Sequence, residues 1–352
     1  MINNVPLYVG GHHSIRTGFA GAALTAMKQG GNCYQFFSKN PRSLTVKNFD
    51  KVEATKCKQI CRENNILSVI HTPYPSNLAV DPKASEDQFN RTIASLKNDL
   101  EISEACGSIG IIVHFGIYKG INLLQGYQNI IQCINKVLSN WQGKSMLLLE
   151  NQAGDHGNMG ITIEELTKIR SLCEKPEYIG FCLDTCHAFA SGMWVGDQDD
   201  NFVKKAQEYH FWSDVKCIHL NDSQYPALSR KDRHARPGEG CIGEKGFEYF
   251  LSIPEVRTKP MIIESRTGRD GTYGAARDRS RAPASRPVRQ PAGTDRLVAS
   301  RRAASHPAGA APGAPRGRLR LARPGGATPT AGRQPAAGRP ARPSRLPQCL
   351  PA

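Results

Sequence analysis

Nine nitrogen- and oxygen-bearing side chains recur at one kind of place in this chain. His71, His114, Glu150, Asp184, His219 and Glu264 each stand directly after a short apolar run, His187 follows Asp184 by three residues, and Asp232 and His234 flank Arg233 in a later polar loop. Five of the nine are imidazoles and four are carboxylates. Donors of this type suit zinc and similar borderline divalent ions. Taken singly, a strand-end Asp more often caps a helix and a lone His more often packs as a hydrogen-bonded structural residue. Six successive apolar runs ending this way point instead to one polynuclear metal site. Nine donors exceed a single tetrahedral centre. With one carboxylate shared between ions they suit two or three metals, with positions left for water and a substrate.

The elements that must position them follow from the hydrophobic pattern. Apolar, β-rich runs occur at 7–11, 33–37, 66–70, 109–113, 146–149, 181–183, 215–218 and 260–263. Helical spacing fills the intervals 17–29, 48–64, 87–105, 123–141, 163–172, 202–212 and 246–251. Such alternation predicts a parallel sheet. Eight βα units in this length fit a closed (β/α)8 TIM barrel better than an open doubly wound sheet, and no GxGxxG follows the first strand. In a barrel the carboxyl ends of all strands share one face, whatever their separation in sequence. The stretch 181–189 reads as a strand that delivers Asp184 and His187 and then turns into a loop at Ala190-Ser191-Gly192. Cys182 and Cys186 beside them read as packing thiols.

His71-Thr72-Pro73-Tyr74, Val113-His114, Leu149-Glu150-Asn151, Asp184-Thr185-Cys186-His187-Ala188-Phe189, His219-Leu220-Asn221-Asp222, Asp232-Arg233-His234, Gly238-Glu239-Gly240 and Ile263-Glu264 resemble, in order and spacing, the endonuclease IV family of apurinic/apyrimidinic endonucleases. The resemblance runs from about Leu7 to Glu264. It implies a TIM barrel with three zinc ions that cuts double-stranded DNA 5′ to an abasic site and trims blocked 3′ ends. Carried over residue by residue, it makes Glu150 the bridge between two ions and the group that orients the nucleophile. His71 and His114 then complete one of that pair, and Asp184, His219 and Glu264 the other. His187, Asp232 and His234 hold the third ion. Arg42, Tyr74 and His12 fall where the family contacts DNA. Pro75 stands where the best-known members carry an apolar wedge. A monomer acting on DNA in the cytoplasm is the expectation.

Composition divides the chain in two. Residues 1–268 carry 29 Lys+Arg and 28 Asp+Glu, a net of +1, whereas 269–352 carry 17 Arg, no Lys and three acids, a net of +14. DNA affinity in the first part must therefore come from local patches and the metals. The tail has 13 Pro and no apolar periodicity, so disorder is expected. Its abrupt Lys-free Arg/Ala/Pro/Gly composition resembles a shifted coding frame or a foreign segment, and no eighth helix is visible after the eighth strand. A chain weakened or inactivated by that loss is one alternative reading. A basic tether for nucleic acid is another, and a metal-dependent sugar isomerase or epimerase on the same barrel is a third. Eleven scattered Cys without a CxxC argue for reduced thiols over a disulfide framework or a four-cysteine zinc site. No secretory signal and no membrane span is expected.

Overall fold

The computed structural model describes residues 7–264. Its strands are β1 (Val9–His12), β2 (Cys33–Phe37), β3 (Leu67–His71), β4 (Gly110–His114), β5 (Met146–Glu150), β6 (Ile179–Asp184), β7 (Val215–His219), β8 (Asp222–Ser223), β9 (His234–Ala235) and β10 (Met261–Ile263). All but β8 and β9 close into a parallel barrel in the order β1, β10, β7, β6, β5, β4, β3, β2. β8 and β9 form a small antiparallel hairpin. Helices α1 (Gly18–Lys28), α2 (Lys51–Glu63), α3 (Glu86–Cys106), α4 (Leu123–Leu138) and α5 (Ile163–Leu172) follow the first five strands in turn. Three short helices, α6 (Thr185–Ser191), α7 (Asp200–Glu208) and α8 (Phe211–Asp214), follow β6, and α9 (Gly243–Ser252) precedes β10.

Both faces of the wall are apolar, as parallel strands under helices require. Tyr34, Phe36, Ile70, Leu147, Leu149, Phe181 and Leu183 face outward into a core shared with Phe19, Leu96, Ile134 and Leu166 on the helices. Inside the ring, Cys33, Val69, Ile112, Leu148, Cys182, Cys217 and Ile262 form a separate apolar cluster. Fully burying each of the larger aliphatic side chains contributes about 1.5–3 kcal/mol. β1 supplies Gly10 at this level, where an added Cβ would lie 1.6 Å from the Cys33 carbonyl oxygen, so no larger residue fits.

Side chains alternate along a strand, so the residue two positions further on faces the same way. Two positions beyond the inner cluster stand Gln35, His71, His114, Glu150, Asp184, His219 and Glu264, and two beyond Gly10 stands His12. The apolar plug thus forms the floor of a polar layer at the carboxyl end.

Several element boundaries differ from those read off the sequence. The segment after β6 is helix α6, not loop, because the Asp184 side chain caps it by accepting the His187 N–H and Gly192 ends it in the left-handed region at φ 84°. The single helix expected over 202–212 is two, broken where His210 takes φ 52°. α2 begins at Lys51, capped by Asp50, and α9 begins at Gly243 instead of 246. The hairpin of β8 and β9 was not anticipated. Among the described residues no helix is long and apolar enough to cross a membrane. The expectations about an eighth helix and the 269–352 tail lie outside the described residues.

Candidate metal centre

A cleft of about 440 Å³ opens at the carboxyl end of the barrel, lined by His12, Phe37, His71, Tyr74, His114, Glu150, His187, Asp232, His234 and Glu264. Asp184 and His219 lie beneath it and are fully buried. The structure therefore brings all nine candidate donors together from six strands and the loops that follow them.

Three groupings have donor atoms within 4.8 Å of one another: His71, His114 and Glu150; Glu150, Asp184 and His219; His187, Asp232 and His234. Glu150 belongs to two of them. Its Oε2 lies 2.9 Å from His114 Nε2 and 3.7 Å from His71 Nε2. Its Oε1 lies 3.1 Å from His219 Nδ1, which is also 3.3 Å from Glu264 Oε2 and 3.8 Å from Asp184 Oδ2. Asp232 Oδ1 stands between His187 Nε2 at 3.3 Å and His234 Nε2 at 3.1 Å, and His234 Nε2 is 3.6 Å from Asp184 Oδ2. Asp184 thus adjoins both the second and third groupings. Cys186 also has its donor within 4.8 Å of Asp184 and His234, but burial and the Asp184 carboxylate push its thiol up to about 12, which keeps it protonated.

Hydrogen bonds around this layer set which nitrogen of each ring faces inward. His71 Nδ1 donates to the Thr72 carbonyl at 2.8 Å and His187 Nδ1 to the Asn151 carbonyl at 2.9 Å, leaving each Nε2 for the centre. Asn151 also clamps the Asp184 backbone, accepting its N–H and donating to its carbonyl. Asn221 donates to Asp184 Oδ2 at 2.8 Å and to Glu264 Oε2 at 3.1 Å. Supporting partners of this kind are what fixed metal ligands require.

The residues fit metal ions on two counts. Glu150 Oε2, His187 Nε2 and His234 Nε2 are buried and make no well-formed hydrogen bond among the described residues. The charge pattern is also one that a cation resolves. Burial alone would raise the Glu150 carboxyl, but His114 and His219 together hold it well below its usual range. Burial opposes charge on His219 and His187 too, yet the carboxylates Glu264 and Glu150 for the first, and Asp184 and Asp232 for the second, raise both well above 6.5. Glu264 is held at about 2 by His219, His71 and His234 against its burial. The carboxylates thus favour positive charge on His187 and His219, a role that bound cations would take over.

The loops above the centre are held by buried anchors. Lys39 Nζ donates to Asp99 Oδ1 at 2.7 Å and to the Ser95 carbonyl at 2.8 Å, and the Ser38 hydroxyl also donates to Asp99. This ties the 38–42 loop, with exposed Arg42, to α3. Tyr74 is 65% exposed on the rim, its N–H donating to the Pro41 carbonyl and its ring 5.3 Å from that of Phe37. On the other side, buried Asp222 accepts five backbone N–H groups, from Ser223, Gly238, Gly240, Ile242 and Gly243. A Cβ at Gly240 would meet the Ser223 carbonyl at 2.4 Å and Asp222 at 2.5 Å, which accounts for the second glycine of Gly238-Glu239-Gly240. The hairpin then sets His234 opposite Ser223. His12 faces the cleft as a neutral imidazole, lowered to about 4 by burial. Asn151, Asn221, Asp222, Asp99 and Gln35 were not singled out by type. Only strand alternation counted from the inner cluster would have found Gln35.

A closed parallel barrel with clustered His, Asp and Glu at its carboxyl rim defines a class, and a family model described as the xylose isomerase-like TIM barrel matches residues 24–283. Within that class the chain is 38% identical over 267 residues to a protein named probable endonuclease 4 from Symbiobacterium thermophilum, covering 76% of this chain and 95% of that one. It is 34% identical to a probable endonuclease 4 from Thermotoga sp. strain RQ2, covering 74% and 92%. The crystal structure of endonuclease IV from Thermus thermophilus superposes with a TM-score of 0.67 at 28% identity, covering 76% of this chain and 94% of that one. The chain belongs to the endonuclease IV family.

Proposed function

We propose that this chain is a zinc-dependent apurinic/apyrimidinic endonuclease that hydrolyses the DNA phosphodiester 5′ to an abasic site and trims blocked 3′ ends. The observation that carries the reading is the position of Glu150, whose two oxygens face different histidine groupings across one open cleft. In this reading His71, His114 and Glu150 hold one ion, Glu150, Asp184, His219 and Glu264 a second, and His187, Asp232 and His234 a third. Bound zinc would neutralise the phosphate, lower the pKa of water toward neutrality and offset charge on the departing 3′ oxygen.

The remaining work falls to the chain's own groups. Glu150 orients the attacking oxygen, since its carboxylate sits at the floor of the cleft between the two ligand sets. His12, neutral at physiological pH, meets the substrate as a hydrogen-bonding group without charge. Arg42 and Tyr74, joined through the Pro41 carbonyl, stand at the rim where a duplex would first be met. A lesion without its base is cheap to unstack, which itself supplies selectivity. A rigid Pro75 beside Tyr74 takes the place of a flexible apolar wedge.

The test is a duplex carrying one abasic site, incubated with the zinc-loaded chain with and without prolonged chelation. Cleavage 5′ to the lesion that chelation abolishes is the expected result. Glu150→Gln replaces one carboxylate oxygen with an amide nitrogen, removes the negative charge and should cost about 10³-fold or more in rate, corresponding to several kcal/mol of lost charge stabilisation. Cleavage that survives both changes would overturn the reading, and isomerisation of a free sugar with one exchangeable ion would replace it.

A further inference from the structure

Gln35 lies on β2, fully buried, in the same layer as the candidate ligands, yet it carries an amide where its neighbours carry acids and imidazoles. Its Nε2 is 2.7 Å from Glu264 Oε1 and 3.1 Å from His12 Nδ1, and its Oε1 is 2.7 Å from His219 Nε2. We infer that Gln35 is a positioning residue that assigns the ring protons of His219 and His12 and fixes the Glu264 carboxylate, so that one ion of the three is held by a preset group of donors. The inference rests on the three-ion reading above.

An ionised carboxylate only accepts, so the amide NH2 must face Glu264. The amide oxygen then faces His219, and that contact is a hydrogen bond only if His219 carries its proton on Nε2. With Nε2 committed to Gln35, Nδ1 is the nitrogen of His219 that can give its lone pair to a metal once its proton is displaced, and it is this atom that lies 3.1 Å from Glu150 Oε1 and 3.3 Å from Glu264 Oε2. The second amide hydrogen reaches His12 Nδ1, so His12 carries its own proton on Nε2. One amide therefore links His12 at the end of β1, His219 at the end of β7 and Glu264 just past β10 without being a ligand. Neither a carboxylate nor an apolar side chain could do this. A carboxylate offers no donor to Glu264, and an apolar chain offers neither donor nor acceptor. The effect is local, because His71 and His114 on one side and His187, Asp232 and His234 on the other make no hydrogen bond to Gln35.

Gln35→Met keeps nearly the same shape and removes all three hydrogen bonds. Zinc-loaded wild type and variant are dialysed against the same graded chelator, and retained zinc is counted by mass spectrometry alongside far-UV circular dichroism. Wild type should retain about three ions where the variant retains about two, with one ion held 10–100-fold more weakly, the usual scale for a lost supporting partner. Three ions retained equally by both would overturn the inference, as would loss of all ions together, which marks a merely structural role. Wild type that never holds three ions would sink the three-ion reading and the inference with it, whereas the two preceding outcomes leave that reading standing. A second measurement is independent of how the variant folds. Long-range ¹⁵N–¹H spectra of histidine-labelled, zinc-loaded wild type should show His219 protonated on Nε2, and a proton on Nδ1 would overturn the assignment.

Discussion

His219 and His187 carry opposite loads with and without metal, and this makes the pH response of the molecule diagnostic. In the metal-free chain both have folded-state values raised well above 6.5 by the surrounding carboxylates. A raised value means the folded state binds the proton more tightly than the unfolded one. The stability this contributes is full below about 6.5 and is lost as pH rises through the folded values. His71 and His12 are lowered by burial, so both are neutral above 6.5 in either state and do not enter that window. The metal-free chain should therefore melt at progressively lower temperature as pH is raised above 6.5. With zinc bound the trend above 6.5 should reverse or vanish, because the metal needs those nitrogens unprotonated. Thermal melts at several pH values, with and without chelator, check both halves, and a metal-free melt that rises across this window would contradict the assigned histidine environments.

At the scale of elements, the strand ends were legible because an apolar run followed by a donor is a local pattern. His71, His114, Glu150, Asp184 and His219 are each the last residue of a strand, and Glu264 directly follows one. Gln35 was not legible, since it sits inside Cys33-Tyr34-Gln35-Phe36-Phe37, where the sequence does not say which face points inward until the ring is closed. Helix α6 escaped notice because its cap, Asp184, doubles as a candidate ligand. Asp222 was quoted within a motif, but its five backbone partners come from as far as Gly243 and only the fold brings them near. Asp222→Ala strands several of those N–H groups and should cost about 3 kcal/mol or more in urea unfolding. Its effect on zinc should fall first on the ion assigned to Asp232 and His234. Asp99→Ala leaves Lys39 buried without its partner and should cost about 3–5 kcal/mol by the same measurement. A loss under about 1 kcal/mol in either variant would show that these carboxylates do not anchor the rim loops.

The whole molecule couples the centre to the barrel, because the proposed ligands come from six of its eight wall strands. An ion that binds only the folded chain adds about 2.7 kcal/mol at a free concentration one hundred times its Kd. For a domain of this size each kcal/mol moves Tm by about 2–4 °C. Prolonged chelation should therefore lower Tm by at least about 5 °C at neutral pH, read by calorimetry. An unchanged Tm would mean that the donors do not share an ion in the folded state.

The closing strand has a consequence in time. β10 comes last in the chain among the described strands, yet it sits between β1 and β7 and brings Glu264 to the centre. While the polypeptide is being made, every earlier donor is already present but the ring stands open on that side. The second ion of the proposed three would lack Glu264 until residue 264 has emerged. In the proposed reading, a complete centre therefore depends on the last of the described strands.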